Sequence, residues 1–579
     1  MRQIILLTLI VCWSSLTNVY AQAPAASPAP PTARRTGAIA GRVIVEDGAL
    51  AGGTQVSLSP VGATSFGSNM GSLADEEGNF TINNLEARAY RVFASMPGYV
   101  STGEDETWRH ARIGDVLTVN LVKGGVITGK VTAPSGDPVI GLMISATRVR
   151  DAEGKSVVAR SNNSMPAQTD DRGVYRIYGL SAGAYVVGAG DASFVFTASP
   201  YLGDKPVYHP SSARETAAEV LVQPGAVASG IDIQYRSDPG LTVSGKITGA
   251  LASSEQGGVN VNLSAPGTPN HVASTFVQPT SSNNGFELRG VPNGDYDVSA
   301  YRYGQMGLVT ARSQPRRIRV ANSDVGGVEL TLAPLASISG TVALESLPDP
   351  KPEEKTLCVK GRPHSVYEVL LNVRTTPAAQ TTGDQTTSSE TVPDDKGAFA
   401  INGLDPGNYR LFTNLPDEGW YLKSIAVNQA APATNAAANA KRPAAGEAGL
   451  FALKSGEKVA GVTVTLAEGA AQVSGKLVGK SSRRWHVHLV PADAALANDA
   501  LRYGETRARA DGTFKLGNLA PGKYWLIAKP LAADESLEAP PRPLAWDATA
   551  RAALRKEAEA AAQVVELGAC MRLSDYQLK

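Results

Sequence analysis

The feature that most constrains this chain is internal repetition. Five times an alternating apolar/polar stretch runs up to a glycine: GAIAGRV from Gly37, GVITGKV from Gly125, LTVSGKI from Leu241, ASISGTV from Ala336 and AQVSGKL from Ala471. Each is followed by an aromatic residue standing ten positions before a tyrosine: Phe80 and Tyr90, Tyr175 and Tyr185, Phe286 and Tyr296, Phe399 and Tyr409, Phe514 and Tyr524. A spacing held without slip while the residues inside it vary points to one geometry used five times.

Period-two alternation is the pattern of a half-buried strand. Ahead of each aromatic, Asp or Asn beside Gly favours a tight turn with positive φ, assigned to Gly78, Gly173, Gly397 and Gly512, with Asn284 standing in for the third copy. Pro406-Gly407 and Pro521-Gly522 supply a second turn before the tyrosine strand. The units end in further alternating stretches, such as DVLTVNLVKGG and GVELTLAPLAS, which run straight into the next opening strand.

The expected fold is therefore all-β, a tandem array of about five antiparallel β-sandwich modules with one short helical insertion near the C-terminus. The modules are placed at residues 37–124, 125–239, 240–334, 335–469 and 470–579. Short connections predict stacking end to end as a semi-rigid rod. Residues 547–562 carry strong helix formers behind Asp547 as N-cap and few apolar side chains, which predicts a mostly exposed helix. Residues 375–392 (Thr/Ser-rich) and 428–449 (Ala-rich) read as structureless loops inserted in the fourth unit.

Residues 1–21 have the form of an export signal: Arg2, an apolar run over 4–13, and Val19-Tyr20-Ala21 at the expected cleavage point. That run is shorter than a bilayer span, and no later segment is long and apolar enough to cross one. An exported protein results, periplasmic, cell-surface or extracellular, with an Ala/Pro-rich linker over 22–36. Lys+Arg and Asp+Glu both number 54, which removes the electrostatic case for nucleic acid or an anionic membrane as partner. Beyond the signal only Cys358 and Cys570 remain, read as free or buried thiols because pairing requires their two modules to touch.

The run of turn-Gly-x-aromatic, then Leu, then Pro-Gly-x-Tyr, behind a strand ending in Gly-Lys-Val, resembles the carboxypeptidase regulatory-like domain. That group is related to transthyretin-like and Cna B-type sandwiches. The resemblance extends over nearly all of the chain after residue 36. It implies the fold, and a carbohydrate-binding-like fold class by analogy, but no peptidase activity. It also implies Lys130, Lys246 and Lys476 as conceivable partners in an intramolecular Lys–Asn isopeptide bond.

The residues themselves offer little chemistry. No His-x-x-Glu or His-Glu-x-x-His spacing surrounds any of the six histidines, which argues against a zinc peptidase. Gly124 with Gly129-Lys130, and Gly240 with Gly245-Lys246, imitate a phosphate loop but lack the following Ser/Thr and helix. Gly179 to Gly183 spells a nucleophile elbow within an inter-strand turn. Asp170-Asp171 and Asp394-Asp395 are accounted for by turn chemistry rather than calcium. His486 and His488 share a strand face, but Arg483 and Arg484 oppose a cation and no third ligand is evident, so the pair reads as a solvated face. No catalytic residue, metal or cofactor is assigned.

Sugar rings need flat aromatic faces beside a few polar groups. Trp108, Tyr301, Tyr303, Trp420, Tyr421 and Trp485 are the candidates, Tyr301 and Tyr303 flanking Arg302 on one strand. The leading expectation is a non-catalytic, exported, multi-module protein that binds a polysaccharide or another cell-envelope component. The alternatives are a structural spacer or adhesion stalk without a small ligand, and an accessory subunit of an envelope hydrolase or transporter.

Overall fold

The computed structural model describes residues 36–578, except 47–50, 62–69, 102–108, 158–165, 191–199, 202, 250–256, 267–270, 279–283, 305–307, 348–357, 359–362, 376–389, 428–447, 480–483, 532–546 and 562–563. The expected export signal, the linker, Trp108 and most of the two fourth-unit insertions lie outside the described residues.

The alternating stretches are strands, and their apolar positions point inward. Thr36–Val45 buries Ile39, Val43 and Val45 while the residues between them face outward. Repeated five times, this pattern makes five separate hydrophobic cores in chain order. Every core contains its repeat aromatic and its repeat tyrosine, from Phe80 and Tyr90 in the first to Phe514 and Tyr524 in the fifth. Burying one such apolar side chain contributes about 1.5–3 kcal/mol, so each core can hold its own module together.

Each module has two layers. In the first, Thr36–Val45 lies between Asn79–Glu86, which carries the aromatic, and the closing strand Val116–Lys123. The facing sheet holds Gln55–Pro60 beside the tyrosine strand Tyr90–Ser95. The third module departs from this plan. There Val309–Ser313 bridges the tyrosine strand Gly294–Tyr303 and the closing strand Val325–Pro334, which joins both layers into one sheet.

Register explains the glycine that ends each opening motif. Gly41, Gly129, Gly245, Gly340 and Gly475 lie opposite Phe80, Tyr175, Phe286, Phe399 and Phe514, respectively. A Cβ on any of them would come within 1.8–2.3 Å of a backbone carbonyl oxygen in the closing segment, as Gly245 would against Val328. The requirement is close approach of two strands, not an unusual φ.

The second signature behaves as a corner. The Tyr90, Tyr185, Tyr296 and Tyr524 hydroxyls donate to the carbonyl four residues earlier, at Glu86, Ser181, Pro292 and Ala520, over 2.8–3.0 Å. Tyr409 also has a backbone hydrogen bond at Asp405, four residues earlier. The turn glycines Gly78, Gly173, Gly397 and Gly512 are left-handed, with φ between 73° and 85°. Asn284 keeps the same carbonyl bond to the opening strand, accepting from Ile247 over 2.8 Å. Asp170 and Asp394 accept backbone N–H bonds from Val174 and Ala398 over 2.7 and 2.8 Å, the turn role expected of them.

Two expectations are refined and two are corrected. The sandwiches are not purely antiparallel: each opening strand pairs in parallel with the closing segment of its module. That arrangement lets the chain leave a module at the end opposite to where it came in. The C-terminal helix, Ala548–Ala561, is capped by the Asp547 carboxylate as expected. It is mostly exposed, as expected, and Arg551, Leu554 and Ala558 add a buried stripe that packs against Val490 and Trp525 on the outer face of the fifth module. Cys358 and Cys570 are joined in a disulfide, with Cα atoms 5.1 Å apart, because the fourth and fifth modules meet. Finally, a rod in which modules touch only sequence neighbours is excluded, since the first module packs on the fourth.

Candidate functional site

The predicted aromatic residues do not gather. Trp420 is 3% exposed within the fourth core, its ring edge-on to His364 at 6.1 Å. Tyr301 is 9% exposed, covered by the Arg312 guanidinium 4.6 Å from its ring centre. Arg312 in turn pairs with Asp405 of the fourth module at 2.6 Å, so the strand face expected to meet a ligand is closed by a neighbouring module. Tyr303, Tyr421 and Trp485 remain half-buried, one each on the third, fourth and fifth modules. Lys130, Lys246 and Lys476 sit exposed on outer faces, and Lys246 pairs with Glu329 at 3.5 Å.

What the fold does bring together is polar side chains from different modules, with the fourth at the centre. On one side, Glu390 accepts from Arg91 at 2.7 Å and lies 3.3 Å from the His110 ring. Burial alone would raise the Glu390 carboxyl, but His110 and Arg91 outweigh it and hold the group below the usual carboxylate range. The Arg112 guanidinium, 8% exposed, donates to the Glu368 and Asn414 carbonyls over 2.7 and 3.2 Å. Val61 and Ala89 of the first module add an apolar contact with Leu370 of the fourth.

On the other side stands the fifth module. Besides the disulfide, the Asn518 amide donates to the Asp417 and Trp420 carbonyls over 2.7 and 2.8 Å, and Arg502 donates to those of Leu422 and Lys423. Asn518 reaches them from a left-handed backbone, a conformation that Asn tolerates better than most residues. The segment it grips is braced from beneath by His364, whose side chain is 3% exposed and lies 2.6 Å from Asp417 and 3.4 Å from Glu368. Burial by itself would lower the His364 pKa; the two carboxylates more than reverse this and hold it up at about 9. It is a cation at neutral pH.

A second cluster lies within the fifth module. Val487 and Leu489 of Trp485–Pro491 enter the core, so His486 and His488 point to the opposite, outer face. His488 is 6% exposed there, while His486 is half-buried. The edge strand Gly504–Arg507 places Glu505 opposite His488, with the carboxylate 3.6 Å from Nδ1, and Arg507 opposite His486. A carboxylate that the sequence does not place near the two histidines thus stands beside them, and the strand pairing that delivers it carries no signal in the sequence. Burial, then the neighbouring His486 and Lys529, push His488 down to about 4, leaving a neutral imidazole. Arg484 is paired with Glu153 of the second module at 3.4 Å.

A family model, the carboxypeptidase regulatory-like domain, matches residues 38–121. No curated protein matches the chain. Among solved structures, the Bacillus anthracis TIE protein is similar at 10% identity, over 72% of this chain and 69% of that one, with a TM-score of 0.13. The Streptococcal ancillary pilin is similar at 8% identity, over 51% of this chain and 99% of its own, with a TM-score of 0.17. BcpA, the major pilin subunit of Bacillus cereus, follows at 12% identity, over 51% and 99%, with a TM-score of 0.12. Likenesses this distant carry no argument about function. The matched segment coincides with the first core and its repeat signature, and that same signature closes the four cores that follow. Residues 38–121 match the carboxypeptidase regulatory-like domain, and the chain that contains them is a tandem array of β-sandwich modules.

Proposed function

We propose that this protein is a non-catalytic structural scaffold, exported by its N-terminal segment, whose modules are held in fixed mutual positions by the fourth. The observation that carries this reading is the contact of Arg91, His110 and Arg112 with Glu390, Glu368 and Asn414, across sequence separations of 256 to 304 residues. A chain of independent beads has no use for such contacts, because each module already has its own core. The repeat aromatics and tyrosines close those cores, and most of the polar residues described above sit at junctions between modules. Among the described residues no helix is long and apolar enough to cross a membrane.

Cross-linking mass spectrometry on the monomeric full chain tests the scaffold. Links between the first and fourth modules are expected, and their absence would remove the reading. Polysaccharide binding is the second reading, supported by the half-exposed rings of Tyr303, Tyr421 and Trp485. Retention on a glycan array, abolished by Trp485→Ala, would put it first. No retention would leave the scaffold.

A further inference from the structure

We infer that His486, His488 and Glu505 form a binding site for one divalent transition-metal ion of the zinc class. One ligand atom from each lies within 4.8 Å of the others. His488 Nδ1 and Glu505 Oε2, 3.6 Å apart, are already near the separation of two donors on one small cation. Tetrahedral zinc holds nitrogen and oxygen ligands about 2.0–2.2 Å from the metal, so neighbouring donors sit roughly 3.4 Å apart. All three donors need only close from the 4.8 Å limit to that spacing. Two imidazoles with one carboxylate suit zinc, copper or nickel and not magnesium or calcium, which take oxygen donors. Three protein ligands leave a fourth position for water.

The surroundings fit a structural clamp. The two histidines sit on Trp485–Pro491 and the carboxylate on its edge neighbour Gly504–Arg507, so one ion ties an edge strand to the sheet. The helix Ala548–Ala561 packs against the same outer face. Three charged groups besides Glu505 stand nearby. Arg507 Nε donates to His486 Nε2 over 3.4 Å, a long bond that metal binding at that atom displaces. Lys529 is answered by Glu557 of the helix at 2.7 Å, which offsets much of its repulsion of a cation.

The test is isothermal titration of the full chain with Zn²⁺, paralleled by Co²⁺ absorption as a report on coordination. One equivalent should bind. His486→Ala and Glu505→Gln should each weaken it by at least about tenfold, given that even indirect changes around a metal cost 10–100-fold. His209→Ala, remote from the cluster, should bind like the parent. Both cluster variants change half-buried side chains outside the core, and unchanged circular dichroism and melting will show that they fold. No detectable binding, or binding that survives either variant at full affinity, would overturn the assignment.

Discussion

The fourth module meets the first and the fifth by different chemistry. Toward the fifth it uses a covalent bond between residues 212 apart, Asn518 and Arg502 reading backbone carbonyls, and a buried charged histidine beneath the gripped segment. Toward the first it uses ion pairs, the Arg112 fork and a small apolar contact, with no covalent link among the described residues. The difference teaches that the fourth module holds the fifth by a covalent tie and the first by docking alone, so the two junctions should answer to different perturbations.

Breaking the disulfide should have the largest effect. Cys570→Ser should lower resistance to denaturant by about 3–4 kcal/mol in the last transition to involve the fifth module, the range expected for closing a long loop. Reductant should reproduce this in the parent protein and do nothing further in the variant. A result of that size seen in the first module instead would reverse the comparison.

The second effect comes from pH. His364 holds its proton more tightly in the folded chain than when free, about 9 against 6.5. Its contribution is therefore complete below about pH 6.5 and is lost as pH rises through 9. The shift corresponds to about 3 kcal/mol at 1.36 kcal/mol per unit. Melting followed from pH 6 to 10 should show the decline, and His364→Gln should flatten it. Hydrogen exchange should place the loosening at the Asp417–Asn518 contact and leave the first module unchanged.

Arg112→Ala should cost about 2 kcal/mol, the scale of a charged donor removed from buried carbonyls. It should raise exchange in Arg109–Ala111 while the fifth module stays protected. The smallest effect belongs inside a module: Tyr296→Phe removes one corner hydrogen bond, worth about 1 kcal/mol, and should touch neither junction.

Much of the fold was legible because it repeats. Period-two alternation located the strands, and the aromatic-plus-ten tyrosine located five cores and their corners. Asp547 marked the helix start because an N-cap is a local signal. Composition also gave the helix its mostly exposed character, but not the surface on which Leu554 and Ala558 seat it. The opening glycines were visible as a motif, but their cause, a carbonyl of the closing strand beneath Gly245 and its counterparts, appears only once three strands are aligned. Contacts between modules left no trace at all. Arg91 and Glu390, or Cys358 and Cys570, are single residues hundreds of positions apart, without periodicity to tie them. The same holds on a smaller scale for Glu505, which joins His488 only through a strand pairing.

The central claim is that the first module rests on the fourth in the folded chain. A double-mutant cycle on Arg91 and Glu390, read as the free energy of opening Arg109–Ala111 by hydrogen exchange, tests it most directly. The account predicts that Arg91→Ala and Glu390→Gln are coupled by about 1 kcal/mol, as partly buried partners in one network are. Strict additivity of the two changes, with exchange in that strand unmoved by either, would contradict it.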